Sequence, residues 1–167
     1  VMEQFNLAQR VVIVTGGSKG LGREMALGLA EAGARVAVVS RTRSLIEQTA
    51  AEIVGQGGEA IAVPADMTRE EEVESMTAEV AKAYGRIDVL FNNAGIFKPM
   101  LFETGTLDDW RAMIDTNLWS VIYGVQAAIP IMLRQGSGHI VNTSSLAGLV
   151  PYPMQVIYDT TKYAVVG

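Results

Sequence analysis

The chain has 167 residues, 13 Lys+Arg against 18 Asp+Glu for a formal charge of −5, no cysteine, and 49% apolar residues. That length and apolarity suit one domain with a sizeable core and exclude a disordered or collagen-like chain. The absence of cysteine excludes a disulfide framework and a thiolate metal site, and an acidic chain without a Lys/Arg cluster argues against nucleic acid and anionic membranes as partners.

The N-terminus, Val1-Met2-Glu3-Gln4-Phe5-Asn6, has no basic region followed by an apolar run, so no secretory leader is expected and the chain reads as cytoplasmic. The continuously apolar run at 11–15, closed by Gly16-Gly17, predicts a strand buried on both faces. Similar runs follow at 35–40, 60–63, 87–91 and 139–143, separated by helical patterns at 21–32, 44–54, 69–84 and 107–134. Ser44/Glu47, Thr68/Glu71 and Thr106/Asp109 have the spacing of capping boxes at three helix starts, and Gly33, Gly57, Gly85 and Gly136 stand where helices should stop. Five strands alternating with helices, without hairpin turns, predict a doubly wound α/β fold: a parallel sheet covered on both faces, residues 1–167 forming a single domain.

Within 107–134 the second half is apolar nearly all round, so that helix should be covered on two sides, either by another subunit or by more of the same chain. Pro130 should kink it or end its regular hydrogen bonding. Its uncharged stretch, 116–133, is short for a membrane span and is interrupted by Asn117, Ser120, Gln126 and Pro130. The chain stops at Gly167 without a stop signal, as though inside an element.

The turn Thr15-Gly16-Gly17-Ser18-Lys19-Gly20-Leu21-Gly22 joins the first strand to the first helix. Gly16, Gly20 and Gly22 permit a sharp turn and close approach of a ligand, and the helix behind them offers free N–H groups and a positive dipole end to a pyrophosphate. The spacing is neither G-x-G-x-x-G nor a Walker loop, and the plain alternative is a glycine-rich turn that binds nothing. At the end of the second strand, where an acid would bind an adenosine ribose, stand Ser40 and Arg41. Arg41 can grip a 2′-phosphate, and Lys19 adds a second cation, so NADP(H) is expected in preference to NAD(H), which stays possible.

Tyr158 and Lys162 are four residues apart, on one face of a helix. A tyrosine, ordinarily with a pKa of about 10, becomes a useful acid–base group when an ammonium stands beside it. The strand at 139–143 runs into the hydroxyls of Ser144 and Ser145, at the carboxyl end where open α/β sheets bind ligands. His139, the only histidine, begins that strand and should be a surface or edge residue; one histidine and no cysteine give no metal cluster, while carboxylates alone leave Mg²⁺ open.

Four motifs occur in order: Thr15-Gly16-x-x-x-Gly20-x-Gly22, Asn92-Asn93-Ala94-Gly95, Ser145, and Tyr158-x-x-x-Lys162. On this strand–helix pattern the whole chain resembles the short-chain dehydrogenase/reductase family. The resemblance implies an oxidoreductase that passes hydride between NADP(H) and a carbonyl or secondary alcohol of a small organic substrate. It implies that Ser145 bonds the substrate oxygen and Tyr158 transfers the proton. Lys162 would hold the nicotinamide ribose and assist the tyrosine, and Asn117 would hold a relay water. It further implies that Gly16, Ser18, Lys19, Gly20, Leu21, Gly22, Ser40 and Arg41, then Asp66, Met67, Asn93, Ala94 and Gly95, line the cofactor site. Asn117 as a plain helical asparagine and Asp66 as a turn residue are the alternatives for those two. Family members usually continue further, which implies a missing C-terminal part that carries much of the substrate pocket. They also usually form dimers or tetramers through the helices at 107–134 and 156–167. A non-catalytic NADP(H)-sensing module and an inactive fragment remain as alternatives.

Overall fold

A computed structural model describes residues 6–167. The expectation about a leader concerns Val1–Phe5, which lie outside the described residues. Five strands, β1 (Val11–Thr15), β2 (Arg35–Ser40), β3 (Glu59–Pro64), β4 (Val89–Asn92) and β5 (His139–Asn142), form one parallel sheet in the order β3-β2-β1-β4-β5. Alternation along β1 divides the core. Val11 and Ile13 face Val73, Met76 and Val80 of α3 (Glu70–Tyr84) and Ala128 and Met132 of α5 (Ser120–Gln135). Val12 and Val14 face Ala26 and Ala30 of α1 (Gly20–Glu31) and Ile46, Ala50 and Ile53 of α2 (Arg43–Gly55). Helices therefore cover both faces, the doubly wound arrangement expected. The chain winds outward from β1 to β3 and then returns to place β4 on the other side of β1. The ends of β1 and β4 thus flank the switch point, where a crevice opens beyond the sheet.

Several local boundaries differ from the sequence expectation. At Ile87 the side-chain amide of Gln135 accepts from the backbone N–H at 2.9 Å and donates to the carbonyl at 2.8 Å, so a side chain replaces the ladder and β4 begins at Val89. Helix α2 begins at Arg43, one residue early, which places Ser44 inside it, and the Thr42 cap position makes no side-chain bond. Thr68 spends its hydroxyl on Asp66 Oδ1 at 2.8 Å, and Glu72, rather than Glu71, reaches back to accept from Asp66 N–H at 2.8 Å. Gly33, Gly57, Gly85 and Gly136 all follow helices with positive φ, as the stop positions required.

The expected helix at 107–134 is α4 (Leu107–Ile114), a π turn at Asp115–Trp119, and α5. Pro130 does not end it; helical structure continues to Gln135, because a proline near the last turns removes only one bond. The run Leu107–Gln135, 29 residues, is long and apolar enough by composition to cross a membrane, contrary to the shorter stretch read from sequence. It packs instead against α3 and β4 through Gly124, Ala128 and Met132. Gly124 is required there, since a Cβ would collide with Asn92 Oδ1.

At the start of α4 the Thr106/Asp109 capping box forms as expected, with Asp109 N–H donating to Thr106 Oγ at 3.1 Å and Thr106 N–H to Asp109 at 3.0 Å. Lys98 also donates to Asp109, at 2.6 Å. Lys98 first, then the Thr106 N–H and hydroxyl, hold the Asp109 carboxyl at about 2, below its ordinary 3.8. Because the folded value is depressed, this carboxylate contributes stability above pH about 3.8, lost as pH falls toward about 2. A carboxyl-carbon NMR titration should place the Asp109 midpoint near 2, and Lys98→Ala should move it back toward 3.8; an unchanged midpoint in that variant would contradict the cause.

Candidate active site

The crevice floor is built by mutual ties between the ends of β1 and β4. Thr15 Oγ donates to the Phe91 carbonyl at 3.1 Å and accepts from the N–H groups of Asn93 and Ala94, both at 3.0 Å. Asn93 Nδ2 returns a bond to the Thr15 carbonyl at 3.1 Å. This cross-tie brings the glycine turn against Asn93-Ala94-Gly95. Gly16 has φ +70°, and a Cβ there would stand 3.0 Å from Ala94 Cα. A Cβ on Gly22 would strike the Gly16 carbonyl and lie 2.6 Å from Asn93 Nδ2. Gly17, which sequence reasoning did not single out, donates its N–H to Val39 at 3.0 Å and lies so close to β2 that a Cβ would stand 2.7 Å from Val38. Lys19 is the extended residue capping α1, and Leu21 is exposed beside it.

Along the outer rim, Arg41 lies 3.9 Å from Asp66, both partly open to solvent. Ser40 Oγ is buried without a partner, a free hydroxyl at the end of β2. Asp66 shapes its own turn by accepting from Thr68 N–H at 3.0 Å. The Met67 side chain is buried in the core with Val63, Ala65 and Val73.

On the opposite rim, α6 (Val156–Val166) carries Tyr158 and Lys162. Lys162 is 5% exposed, and its Nζ donates to the Thr143 carbonyl at 2.8 Å; burial pushes its ammonium below the ordinary lysine value. At its other end, the Lys162 carbonyl accepts from Ser144 Oγ at 3.0 Å. The segment leaving β5 is thereby stitched to α6 at two points, and Gly148 fits between them, where a Cβ would stand 2.6 Å from both the Lys162 carbonyl and Ser144 Oγ. Ser145 caps a short 3-10 turn, Leu146–Gly148, by accepting from Ala147 N–H at 3.2 Å. The Tyr158 ring lies between Lys162 Nζ, 5.7 Å from its centroid, and Phe97, whose ring meets it edge-on at 4.9 Å.

Asn117 sits in the π turn, 1% exposed. Its Oδ1 accepts from Ile96 N–H at 2.8 Å, and its Nδ2 donates to the Ile96 carbonyl at 2.9 Å and to Thr161 Oγ at 3.1 Å. Both amide hydrogens are therefore spent on protein atoms. The side chain does more than bond its own helix: it locks the loop after β4 to α6. Thr161, missed in the sequence, is the link, since its hydroxyl also donates to the Tyr158 carbonyl at 2.8 Å. Asp159 was missed as well. It is 6% exposed and accepts from Tyr152 N–H at 2.9 Å, pinning the strap before α6.

The family model for short chain dehydrogenases matches residues 10–167. This chain belongs to the short-chain dehydrogenase family. It is 40% identical over 162 residues to a 3-oxoacyl-(acyl-carrier-protein) reductase of Synechocystis sp., covering 96% of this chain and 66% of that relative. A short-chain type dehydrogenase/reductase from Mycobacterium marinum superposes with a TM-score of 0.93 at 36% identity, covering 97% of this chain and 67% of that one. A short chain dehydrogenase/reductase from Burkholderia phymatum, solved in complex with NAD, gives 0.93 at 31% identity, covering 96% and 58%. The chain thus spans about two thirds or less of the curated relative and the NAD-bound structure. Within the short-chain dehydrogenase fold, the glycine turn is tied to the end of β4, and Lys162 Nζ of α6 lies 3.9 Å from where a Cβ on Gly95 would stand.

Proposed function

We propose that residues 1–167 are one cofactor-binding and catalytic domain of a cytoplasmic, NADP(H)-preferring oxidoreductase acting on a carbonyl or secondary alcohol of a small organic substrate. The observation that best supports this reading is the double stitch of Lys162 to Thr143 and Ser144, which ties the helix bearing Tyr158 to the segment leaving β5. The residues present fit a dinucleotide: the turn at Gly16 and Gly22 has no room for a Cβ, and Ser40 Oγ is an unspent hydroxyl on the rim. When bound, the nicotinamide supplies or receives the hydride.

The protein's own groups then bind and move a proton. The turn Gly16–Gly22, with Ser18, Lys19, Gly20 and Leu21, presents the N-terminus of α1 to a pyrophosphate. Ser40, Arg41 and Lys19 hold a 2′-phosphate, Asp66 and the main chain of Met67 border the adenine, and Asn93, Ala94 and Gly95 form the floor. Ser145 orients the substrate oxygen and Tyr158 exchanges a proton with it. Lys162 stabilises the charge that develops on the phenolic oxygen and reaches the ribose. Asn117 holds the architecture of this cluster, and a relay water would be bound by its remaining atoms, because both amide hydrogens are occupied. Exposed Trp119, Ile129 and Leu133 on one helix and Val156, Tyr163 and Val166 on α6 are the faces through which copies would associate as dimers or tetramers.

The direct test is NADPH oxidation, followed by absorbance with a panel of ketones and sugars, beside a titration of cofactor binding. Turnover supports the oxidoreductase; binding without any turnover favours a sensing module. Arg41→Asp should reverse the cofactor preference, weakening NADP(H) relative to NAD(H) by roughly 10–100-fold through loss of a charged hydrogen bond and gain of repulsion. An unchanged ratio of the two dissociation constants would defeat the NADP(H) assignment.

A further inference from the structure

Tyr158 stands in the first turn of α6, and the residue before that helix, Gln155, makes no side-chain bond to it. A first turn without a side-chain cap leaves its leading N–H groups unpaired and frays readily. The restraint comes instead from the next residue along. Asp159 is buried, and its Oδ2 accepts from Tyr152 N–H at 2.9 Å, seven residues back. The arrangement is like a capping box, in which an acid early in the helix accepts a backbone N–H just ahead of it. Here the reach is longer, to a residue three before Gln155.

Between Tyr152 and the helix the chain turns at Pro153-Met154, and Met154 has φ +62°. A residue with a side chain seldom sits in that left-handed region unless its surroundings impose it. Two hydrogen bonds bracket the turn. One is Tyr152 N–H to Asp159; in the other the Met154 carbonyl accepts from Met100 N–H at 2.9 Å. The second Asp159 oxygen, Oδ1, is buried without a partner. A buried carboxylate with one oxygen unpaired is a poor means of stabilising a fold. What it does provide is a fixed span between the strap and the turn that bears Tyr158.

We propose that Asp159 is a positioning residue for Tyr158: by holding the strained strap at Tyr152 it takes the place of a helix cap and fixes where the phenol stands. The kinetic consequence rests on the oxidoreductase reading above, whereas the restraint is a property of the chain alone.

Asp159→Ala removes the acceptor, and Asp159→Asn removes the charge but keeps a carbonyl oxygen for Tyr152 N–H. In native-state amide exchange, Asp159→Ala should cost Tyr152 N–H at least about tenfold in protection. The N–H of residue 159, which donates to the Gln155 carbonyl at 2.7 Å, should lose protection with it. Thr143 N–H, bonded to the Asn92 carbonyl at 3.0 Å, should keep its own. In Asp159→Asn all three should stay within about threefold of the unaltered chain. With NADPH and an accepted ketone, Asp159→Ala should lower kcat by roughly 10–100-fold and leave KM and the NADPH dissociation constant within about twofold, as for a misplaced reacting group. Asp159→Asn should retain kcat within about threefold.

Asp88→Ala separates positioning from stability. Asp88 is also buried and accepts from a backbone N–H, that of Val11 at 2.9 Å, but at the amino ends of the strands. Its loss should lower the melting temperature and leave kcat within about twofold. The proposal is overturned by unchanged Tyr152 exchange in Asp159→Ala, by equal losses in Asp159→Ala and Asp159→Asn, or by a kcat loss as large in Asp88→Ala. An Asp159→Ala chain that does not fold also overturns it, since the residue would then be structural. If no ketone is turned over, the oxidoreductase reading fails by itself and the exchange pattern decides alone: protection lost at Tyr152 and residue 159 in Asp159→Ala and kept in Asp159→Asn upholds the restraint, and any other pattern overturns it.

Discussion

Tyr158→Phe should lower kcat by roughly 10³-fold while leaving NADPH binding within about twofold, as expected when a positioned acid–base group is removed and its ring is kept. The ring is what the surroundings touch: Phe97 meets it at 4.9 Å, and Lys162 Nζ lies 5.7 Å from its centroid. The backbone carbonyl of Tyr158 takes the Thr161 hydroxyl, so the bond that fixes α6 to Asn117 does not involve the phenol. Loss of the oxygen would therefore remove the proposed proton carrier without releasing the helix. NADPH oxidation with an accepted ketone, beside a fluorescence titration of NADPH, measures the two effects separately. Normal turnover in this variant would remove Tyr158 from the chemistry.

The second large effect is expected at Gly22. In Gly22→Ala the new methyl would press on the Gly16 carbonyl and stand 2.6 Å from Asn93 Nδ2. Neither neighbour can retreat cheaply, because Gly16 is held at φ +70° in the turn and Asn93 is tied to Thr15 by both its N–H and its side chain. Overpacking of this kind costs roughly 1–3 kcal/mol. The displacement also moves the α1 N-terminus, so NADPH affinity should fall by at least about tenfold. Gly28, on the same helix, is the internal control: nothing lies within 4 Å of a Cβ built there. Gly28→Ala should stabilise the helix by about 0.5–1 kcal/mol and leave NADPH affinity unchanged. Thermal melting and cofactor titration of the two variants give the comparison, and similar behaviour of both would refute the crowding argument.

Much of the candidate site was legible because its signals are local. A glycine turn after a buried strand, and a lysine four residues beyond a tyrosine, can be read along the chain, since turn geometry and helix periodicity act over a few residues. The roles of Gly17, Thr15 and Thr161 were harder to see for the opposite reason. Gly17 is constrained by Val38 on another strand, Thr15 by Phe91 and Asn93, and Thr161 by Asn117, all distant in sequence. Two of the three caps failed similarly. Ser44 and Thr68 have the right spacing, but a helix beginning one residue early and an aspartate competing for the hydroxyl took their places.

By itself the sequence determined the parallel α/β architecture, because apolar runs buried on both faces and alternating with amphipathic helices have few other solutions. It also named the residues proposed for the site, through motifs whose order resembles that of the short-chain dehydrogenases. The tertiary structure alone decided which atoms remain free. It spent both Asn117 amide hydrogens, turned Lys162 onto Thr143, buried the Met67 side chain, and left Ser40 Oγ and half of Phe97 unengaged. The physical reason is that hydrogen-bond satisfaction and desolvation depend on partners brought together by packing, and no local pattern records those partners.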